Sequence, residues 1–301
     1  MAAYFASLNL LKLAKNLPGG VSQGIIWGIM ALGIYITFRV LKESDLTVDG
    51  SFATGGAVAV MLITAKVNPW IAILCAFVTG IVVGCITGLI HTKLKIPAIL
   101  SGILVQFGLY SINLHIMGMV ANVSCNPSKN NVFISMRNIP MALLVGAGFA
   151  VSLIAIMYWY FGTEQGCAIR ATGNNERMAK AQGINVNNMK VIGFALGNGL
   201  VALAGGLMGQ YQGFSDINMG RGAIVIGLAA IIIGEVLSEI IFPKGCQFYT
   251  RLSFVIIGGI VYYLIMIVVL WLRVDSNDLK LATAIIVMLA LAIPNLKKGV
   301  K

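Results

Sequence analysis

The side chains that could do chemistry in this sequence are polar residues set within apolar runs. Asp49 stands in the stretch LTVDGSFATGGA, and Glu235 lies within IIIGEVLSEII. An ionisable side chain is costly to place in lipid, so by default it marks a substrate or ion pathway. The sequence therefore predicts a path for a polar solute. The candidate path residues are Thr47, Asp49, Ser51, Gln106, Asn113, Asn198, Gln210 and Glu235.

Each of these candidates also has a structural interpretation. Uncharged amides such as Gln106 and Asn198 can join neighbouring helices inside a bundle. Glu235 can bond a neighbouring helix near the cytoplasmic face instead of touching cargo. The stretch around Asp49 is either an ordinary turn before a normal helix or a broken helix whose open backbone lines a cavity. The residue types alone leave both interpretations open.

Motifs for catalysis or cofactor binding are missing from the sequence. It contains no GxxxxGK(S/T) phosphate loop, no HExxH, no GxSxG and no GxGxxG. The five cysteines form no CxxC pair, and the two histidines have no acidic or thiol ligand set nearby. We therefore expect no metal site, no disulfide framework and no enzymatic activity on this chain.

The composition indicates that lipid is the solvent for most of the chain. Of its 301 residues, 10% are charged and 58% are hydrophobic, whereas a soluble domain carries about a quarter charged residues. Such a chain is also too apolar to be disordered. The net charge of +11 fits basic cytoplasmic loops. The sequence contains no block of Lys and Arg interleaved with aromatic residues, so we expect no nucleic-acid partner. The 35 glycines indicate closely packed helices.

These features predict an all-α polytopic membrane protein that forms a single domain over residues 1–301. About nine spans (eight to ten) are expected from the length that a helix needs to cross the bilayer. They cover residues 21–41, 51–65, 69–90, 96–117, 139–161, 191–211, 222–242, 252–272 and 279–294. The second span is short and broken at its start. Residues 1–19 are predicted to be an interfacial segment whose helix ends at Pro18, Gly19 and Gly20.

The distribution of basic residues predicts the orientation of the chain. If the polar segment 162–190 is cytoplasmic, 13 of the 21 Lys and Arg residues fall on that side, as expected for cytoplasmic loops. The C-terminus is then cytoplasmic as well. Glycines at four-residue spacing, one run through Gly24 and another through Gly84, predict close helix contacts within one subunit or across a dimer.

The segment 162–190 contains signals for two short helices. Thr163 is a candidate cap for the first helix, which is predicted to continue to Ala171 and to stop at Thr172 and Gly173. Asn174 or Asn175 caps the second helix, which ends at Gly183. A pair of capped helices between membrane spans is suited to dock on a soluble partner.

This segment resembles the cytoplasmic coupling region of ABC-transporter permeases of the branched-chain amino acid and ribose importer group. Permeases of that group carry an acidic residue and a glycine before the pattern RATGxNxxxAxxxGI. The stretches LTVDGSFATGGA and GRGAIVIGLAAIIIGEVL resemble substrate-side segments of the same group. The residues assigned to coupling by this resemblance are Glu164, Gly166, Arg170, Thr172, Gly173, Asn174, Asn175, Arg177, Ala179 and Gly183.

The resemblance implies a division of labour among several subunits in a prokaryotic plasma membrane. Two copies of the permease form the path, and cytoplasmic ATPase subunits, which hold ATP and Mg, dock on residues 163–185. A lipoprotein on the outer side delivers a small organic solute, and some members of the most similar subgroup are proposed to carry aromatic amino acids. Arg170 would fix the turn by pairing with Glu164 or by capping carbonyls.

Two further possibilities remain open at the level of sequence. The chain could be a secondary transporter or channel that works alone, although such a protein needs no dock for an ATPase. The cargo could also be a nucleoside or a sugar, because the predicted path holds few charges and a small zwitterion is only one of the solutes that suit it.

Overall fold

The computed structural model describes residues 10–125, 132–242 and 247–271, and the single helical positions 281, 284, 285 and 288. Most of this part of the chain is α-helical. The helices are α1 Leu10–Tyr35, α2 Val48–Thr64, α3 Pro69–Lys93, α4 Ala98–Ile116, α5 Ile139–Gly162, α6 Glu164–Asn174, α7 Glu176–Ala181, α8 Val186–Gln212, α9 Ala223–Ile241 and α10 Phe248–Trp271. A π-helical turn, Ile36–Val40, extends α1.

Seven of these helices are long and apolar enough to cross a membrane. They are α1, α3, α4, α5, α8, α9 and α10, so the prediction of an all-α polytopic membrane protein is confirmed. Helix α2 is shorter, about 26 Å at 1.5 Å per residue, against a hydrocarbon core of about 30 Å. The ninth predicted span, residues 279–294, lies outside the continuously described residues, as do residues 1–9 and the C-terminal tail.

Helices α1 and α8 form the centre of the molecule and are buried along most of their membrane-crossing length. Their side chains, such as Ile29, Met30 and Phe194, have no exposed surface. Helices α3, α4 and α5 lie toward the outside of the molecule and leave large apolar side chains such as Leu74 and Leu144 exposed. In a membrane, such faces meet lipid or another subunit.

Glycines allow these helices to approach one another at backbone distance. A Cβ atom added at Gly24 of α1 would lie 2.6 Å from Cα of Ile260 in α10. One added at Gly84 of α3 would lie 2.7 Å from Cα of Ala195 in α8. Both spaced glycine runs therefore pack inside one subunit, which was one of the two expected arrangements.

The N-terminal segment continues where the sequence predicts an end. Helix α1 runs unbroken over Leu10–Tyr35 with Pro18 inside it, so the predicted stop at Pro18, Gly19 and Gly20 is wrong. Proline normally costs a helix about 3 kcal/mol. Here tertiary contacts hold the helix through this point, because the Tyr211 hydroxyl donates to the Gly19 carbonyl at 3.1 Å and Gly20 packs against Ile267.

The break in the helical pattern lies before α2 and not within it. After the π-helical turn the chain is irregular over residues 41–47, with Lys42 at φ 59°. Helix α2 then begins at Val48 and includes Asp49 and the following glycines without interruption. The predicted interruption at the start of the second span is therefore displaced toward the N-terminus.

A short antiparallel ribbon holds the segment between α8 and α9. Strand β1, Asn122–Ser124, pairs with β2, Phe214–Asp216, with Val123 opposite Ser215. From this ribbon the chain runs along α2, where a Cβ atom added at Gly56 would lie 3.1 Å from Ser215 Oγ. The ribbon thus positions the N-terminus of α9 against the N-terminal half of α2.

Candidate translocation path and coupling region

A buried polar network joins the irregular segment 41–47 to the central helix α8. Asn198 Nδ2 donates to Asp45 Oδ2 at 2.6 Å, and Ser51 Oγ donates to Asn198 Oδ1 at 2.6 Å. The backbone N–H of Thr47 donates to Asp45 Oδ1 at 2.9 Å. Asn198 and Ser51 have no exposed surface. These two candidate path residues therefore lie in a closed network that fixes the start of α2.

The same network extends to α3 through a pair of hydroxyls. Thr47 Oγ1 lies 3.0 Å from Thr87 Oγ1, and both residues are fully buried. Asp45, 3% exposed, is a network residue that the sequence analysis missed. The sequence signal for this role is the position of Asp45 two residues before Thr47. An aspartate side chain often accepts a hydrogen bond from the backbone N–H two residues further along the chain. Burial raises the pKa of Asp45, while its hydrogen bonds with Thr47 and Asn198 oppose that shift.

Asp49 has a different role, because it caps the N-terminus of α9. Its Oδ2 accepts a hydrogen bond from the Gly222 N–H at 2.9 Å, and its Oδ1 accepts one from the Ile224 N–H at 3.0 Å. The first N–H groups of a helix have no partner within the helix, and a carboxylate there also complements the helix dipole. A side chain of α2 thus supplies the cap that the sequence before α9 lacks.

A cavity of about 560 Å³ opens beside this cap. It brings together three candidate path residues from α2 and α4: Asp49, Gln106 and Asn113. It also includes Arg221, a basic residue just before α9 that was not singled out as a path residue from sequence. The remaining polar and aromatic side chains of its wall are Phe107, Tyr110 and Asn218.

Two other candidate path residues lie away from this cavity. Gln210 Nε2, near the end of α8, donates to the Pro69 carbonyl at 3.5 Å. Glu235 forms an ion pair with Arg39 at the end of α1, and its carboxylate also accepts from Arg39 Nε at 2.6 Å. The pair lies about 20 Å along α9 from the Asp49 cap, at 1.5 Å per residue. This arrangement corresponds to the structural interpretation of Glu235.

The polar segment folds into the two short helices that the caps predict. Thr163 Oγ1 accepts from the Gly166 N–H at 3.4 Å, and Asn175 Oδ1 accepts from the Met178 N–H at 3.1 Å. Helix α6 continues through Asn174, so the predicted stop at Thr172 and Gly173 is wrong. The chain turns at Asn175 instead, and Gly183 follows α7 with φ +80°.

The absence of a Cβ at Gly173 serves packing and not helix termination. A Cβ atom there would overlap the Val40 carbonyl oxygen, so glycine lets α6 lie directly on the π-helical turn after α1. Lys42 Nζ donates to Asn174 Oδ1 at 3.3 Å beside this contact. One of the predicted coupling residues, Gly173, therefore makes a close backbone contact with the turn that extends the first membrane helix.

Arg170 has partners other than the one expected. Its guanidinium lies 3.2 Å from Cys167 Sγ and 5.9 Å from the centre of the Phe248 ring. Among the described residues Glu164 forms no ion pair with it, so the predicted pairing is wrong. The contact with Phe248 joins α6 to the start of α10 by a cation–π interaction.

The ten predicted coupling residues divide into an inner and an outer set. Gly166, Thr172 and Ala179 are buried, and Arg170 and Gly173 are half-buried. The outer set is exposed and comprises Glu164, Asn174, Asn175, Arg177 and Gly183. Met178, 63% exposed, lies among the outer residues on α7. The helix pair is thus anchored on one side and offers polar groups and one large apolar side chain on the other.

An ion-pair network ties α7 to the membrane helices. Lys190 Nζ lies 2.7 Å from Glu43 Oε1 and 3.5 Å from Glu176 Oε1. His91 Nε2, at the end of α3, lies 3.7 Å from the same Glu43 oxygen, and Lys180 lies 3.4 Å from Glu176. The His91 imidazole and the Lys190 ammonium together hold the pKa of Glu43 below its usual range.

Comparison with known proteins assigns the chain to a family. Residues 16–292 match the family described as the permease component of the branched-chain amino acid transport system. The chain belongs to this permease family. It is a transport subunit of an ABC importer and not an enzyme, and it is a multi-pass membrane protein. Members of the family work with an ATPase and a substrate-binding protein, so the alternative of a transporter that works alone does not hold.

Individual relatives of this permease cover nearly its whole length. It is 38% identical to a tyrosine transport system permease protein of Clostridioides difficile, over 93% of this chain and 92% of that protein. It is 31% identical to an uncharacterised protein of Rickettsia prowazekii, over 90% of this chain and 95% of that protein. It is 25% identical to a ribose import permease protein of Escherichia coli, over 94% of this chain and 87% of that protein. No solved structure matches the chain at a significant level.

Proposed function

We propose that this permease forms the path of an ATP-driven importer for an amino acid, and that the amino acid is aromatic. The observation that carries the substrate class is the 38% identity, over 93% of the chain, to a tyrosine transport permease. Identity to the ribose import permease is 25% over a similar length, so a sugar is the weaker candidate.

The assembly that we propose contains two copies of this chain and separate ATPase subunits. ATP and Mg bind the ATPase, and this chain carries no cofactor. A lipoprotein outside the plasma membrane of a prokaryote delivers the substrate. The proposed topology has nine spans and a cytoplasmic C-terminus. It is supported by seven long apolar helices, by the shorter α2 and by the excess of basic residues on one side of the membrane.

Residues 163–185 are proposed to couple ATP hydrolysis to transport. The support is the two-sided character of the helix pair α6–α7. The outer residues, including Arg177 and Met178, are exposed, whereas Gly173 and Glu176 tie the pair to the ends of the membrane helices. A force applied by an ATPase to α7 would therefore reach α8 directly through Lys190, the end of α1 through Gly173 of α6, and α3 through Lys190, Glu43 and His91.

The translocation path is proposed to pass the cavity lined by Asp49, Gln106, Asn113 and Arg221. The cavity lies where two helix N-termini meet, and open helix ends at membrane depth are a recurring feature of solute pathways. The other candidates form the framework of this path. Thr47, Ser51 and Asn198 fix the start of α2, Gln210 bonds α3, and Glu235 bonds α1.

Photo-crosslinking in native membranes tests the proposed dock. A photo-reactive phenylalanine analogue in place of Met178 is expected to crosslink this chain to an ATPase that carries a phosphate loop. The same analogue in place of Phe214, an exposed residue of the β-ribbon, is the control and is expected to give no ATPase adduct. An adduct at Phe214 but not at Met178 would place the ATPase on the wrong face and contradict the proposal.

A further inference from the structure

The cavity beside the N-terminus of α9 contains a buried polar atom without a partner. Asn113 is 1% exposed, and its Oδ1 has no hydrogen-bond partner among the described residues. Buried polar atoms in native proteins are nearly always satisfied, and an exception calls for a ligand or an ordered water. Because Asn113 lines the cavity, its oxygen is available to a hydrogen-bond donor on a bound molecule.

The charged side chains of the cavity wall form a balanced set. Asp49 contributes a carboxylate and Arg221 a guanidinium. Within the described part of the chain, neither forms an ion pair. The Asp49 carboxylate already accepts hydrogen bonds from the Gly222 and Ile224 N–H groups, which offset its charge. The guanidinium of Arg221 has five N–H donors in a geometry that suits a carboxylate. The wall therefore offers the Arg221 guanidinium to an anionic group and the free Asn113 oxygen to a donor, and a zwitterion satisfies both.

Aromatic surface completes the wall of the cavity. Phe107 and Tyr110 of α4 both line it and stand one turn apart on the same helix face. The volume of about 560 Å³ falls within the range of about 300–1,000 Å³ that is usual for small-molecule sites. An aromatic side chain can pack against these rings while its polar end reaches the charged groups.

We propose that this cavity binds the zwitterion of an aromatic α-amino acid during transport. The ammonium group donates to Asn113 Oδ1, the carboxylate pairs with Arg221, and the side chain packs against Phe107 and Tyr110. The inference rests on the proposed function, since it takes the cargo to be an amino acid. A sugar presents only hydroxyl groups and leaves the guanidinium without an anionic partner.

Three related ligands allow the contact with Asn113 and the contact with Arg221 to be tested separately. The permease–ATPase complex, purified in lipid nanodiscs without its binding protein, is titrated with L-tyrosine, with tyramine and with 3-(4-hydroxyphenyl)propionate. Tyramine lacks the carboxylate, and the propionate lacks the ammonium group. Each ligand is measured by equilibrium binding against the wild-type complex and against Asn113→Leu and Arg221→Gln.

The expected result is a crossed pattern. In Arg221→Gln, the affinities for L-tyrosine and for the propionate are expected to fall about tenfold or more, because a lost charged hydrogen bond costs roughly one decade of affinity. The affinity for tyramine is expected to stay within about twofold of wild type. In Asn113→Leu, the affinities for L-tyrosine and tyramine are expected to fall, and the affinity for the propionate is expected to stay unchanged. Arg137→Gln, which removes a positive charge outside the cavity, is the matched control and leaves all three affinities unchanged.

A uniform loss of affinity for all three ligands would assign both residues to the fold and overturn the site. So would saturable binding of D-ribose that excludes L-tyrosine, and so would the absence of saturable L-tyrosine binding to the wild-type complex. Uptake by the complete importer separates the two claims. If the importer takes up L-tyrosine but the crossed pattern is absent, only the site is wrong. If it takes up no amino acid, the proposed function is wrong as well.

Discussion

Lys190 of α8 donates a hydrogen bond to Glu43 over 2.7 Å. The same ammonium lies 3.5 Å from Glu176 of α7, so it joins the helix pair α6–α7 to the irregular segment 41–47. Two residues further along that segment, Asp45 bonds Asn198 in the middle of α8, and α2 follows with the Asp49 cap of α9. These polar contacts, joined to one another by the backbone of residues 43–51, therefore connect the proposed ATPase dock with the proposed substrate cavity.

Replacing Lys190 is expected to separate ATP hydrolysis from transport. Lys190→Met removes both ion pairs and leaves Glu43 with His91 alone, so movement of α7 is no longer passed to the segment 41–47. Substrate uptake by the reconstituted importer is expected to fall about tenfold or more while ATPase activity is retained, as coupling energies between sites are about 1–3 kcal/mol.

Lys180→Met is the matched control for Lys190. Lys180 also pairs with Glu176, but its side chain is 60% exposed, against 12% for Lys190, and it makes no contact with Glu43. Exposed pairs contribute about 0–1 kcal/mol, so uptake by this variant is expected to stay near the wild-type rate. Equal losses in the two variants would show that the link through Glu43 carries no coupling.

Stability is expected to depend on pH through Glu43. The neighbouring His91 and Lys190 hold the pKa of Glu43 below its usual range, so its ionised form stabilises the fold. That contribution is complete above the ordinary glutamate value of about 4.3 and is lost as the pH falls through the lower folded value. Thermal unfolding in detergent should therefore show Glu43→Gln less stable than wild type at pH 7.

The difference between Glu43→Gln and wild type should shrink in unfolding measurements below about pH 4, where the carboxylate becomes protonated. Glu239→Gln is a suitable control, because Glu239 is exposed at the end of α9 and lies outside the network. A difference between Glu43→Gln and wild type that stayed constant from pH 7 to pH 3 would contradict the assignment of the shift to Glu43.

A methyl group at position 173 is expected to lift α6 from the membrane helices. In Gly173→Ala the new Cβ overlaps the Val40 carbonyl oxygen, and overpacking of this kind costs about 1–3 kcal/mol. Both thermal stability and uptake should fall. In Gly162→Ala the Cβ meets no described atom within 4 Å, so that variant should behave as wild type. Wild-type stability of Gly173→Ala would show that α6 does not rest on Val40.

Much of the fold follows from the sequence, because each helix that crosses the lipid needs about 20 mostly apolar residues. Residues 139–161 and 69–90 were recognised as spans, and the helices end within three residues of those limits. The sequence predicts Thr163 as the first cap and Asn174 or Asn175 as the second, because a side-chain acceptor at a helix start is a local feature, and the structure has Thr163 and Asn175. Local rules suffice where the partners of a residue are close in sequence.

The predictions that failed depend on partners far away in the chain. Pro18 sits inside α1 because residues of α8 and α10 hold the helix at that point. Arg170 meets Phe248, which no local pattern indicates. Arg221 and Asn113 come from different helices and share a cavity only after folding. The site therefore required the structure, although its residue types were visible in the sequence.

The central claim is that this chain imports an amino acid only when ATP is hydrolysed by a partner docked on residues 163–185. Uptake of radiolabelled L-tyrosine into proteoliposomes that contain the permease, its ATPase and the binding lipoprotein tests it most directly. The account predicts uptake that requires all three proteins and hydrolysable ATP and that is lost in Lys190→Met. Uptake by the permease alone, or ATP-driven uptake of ribose without uptake of L-tyrosine, would contradict it.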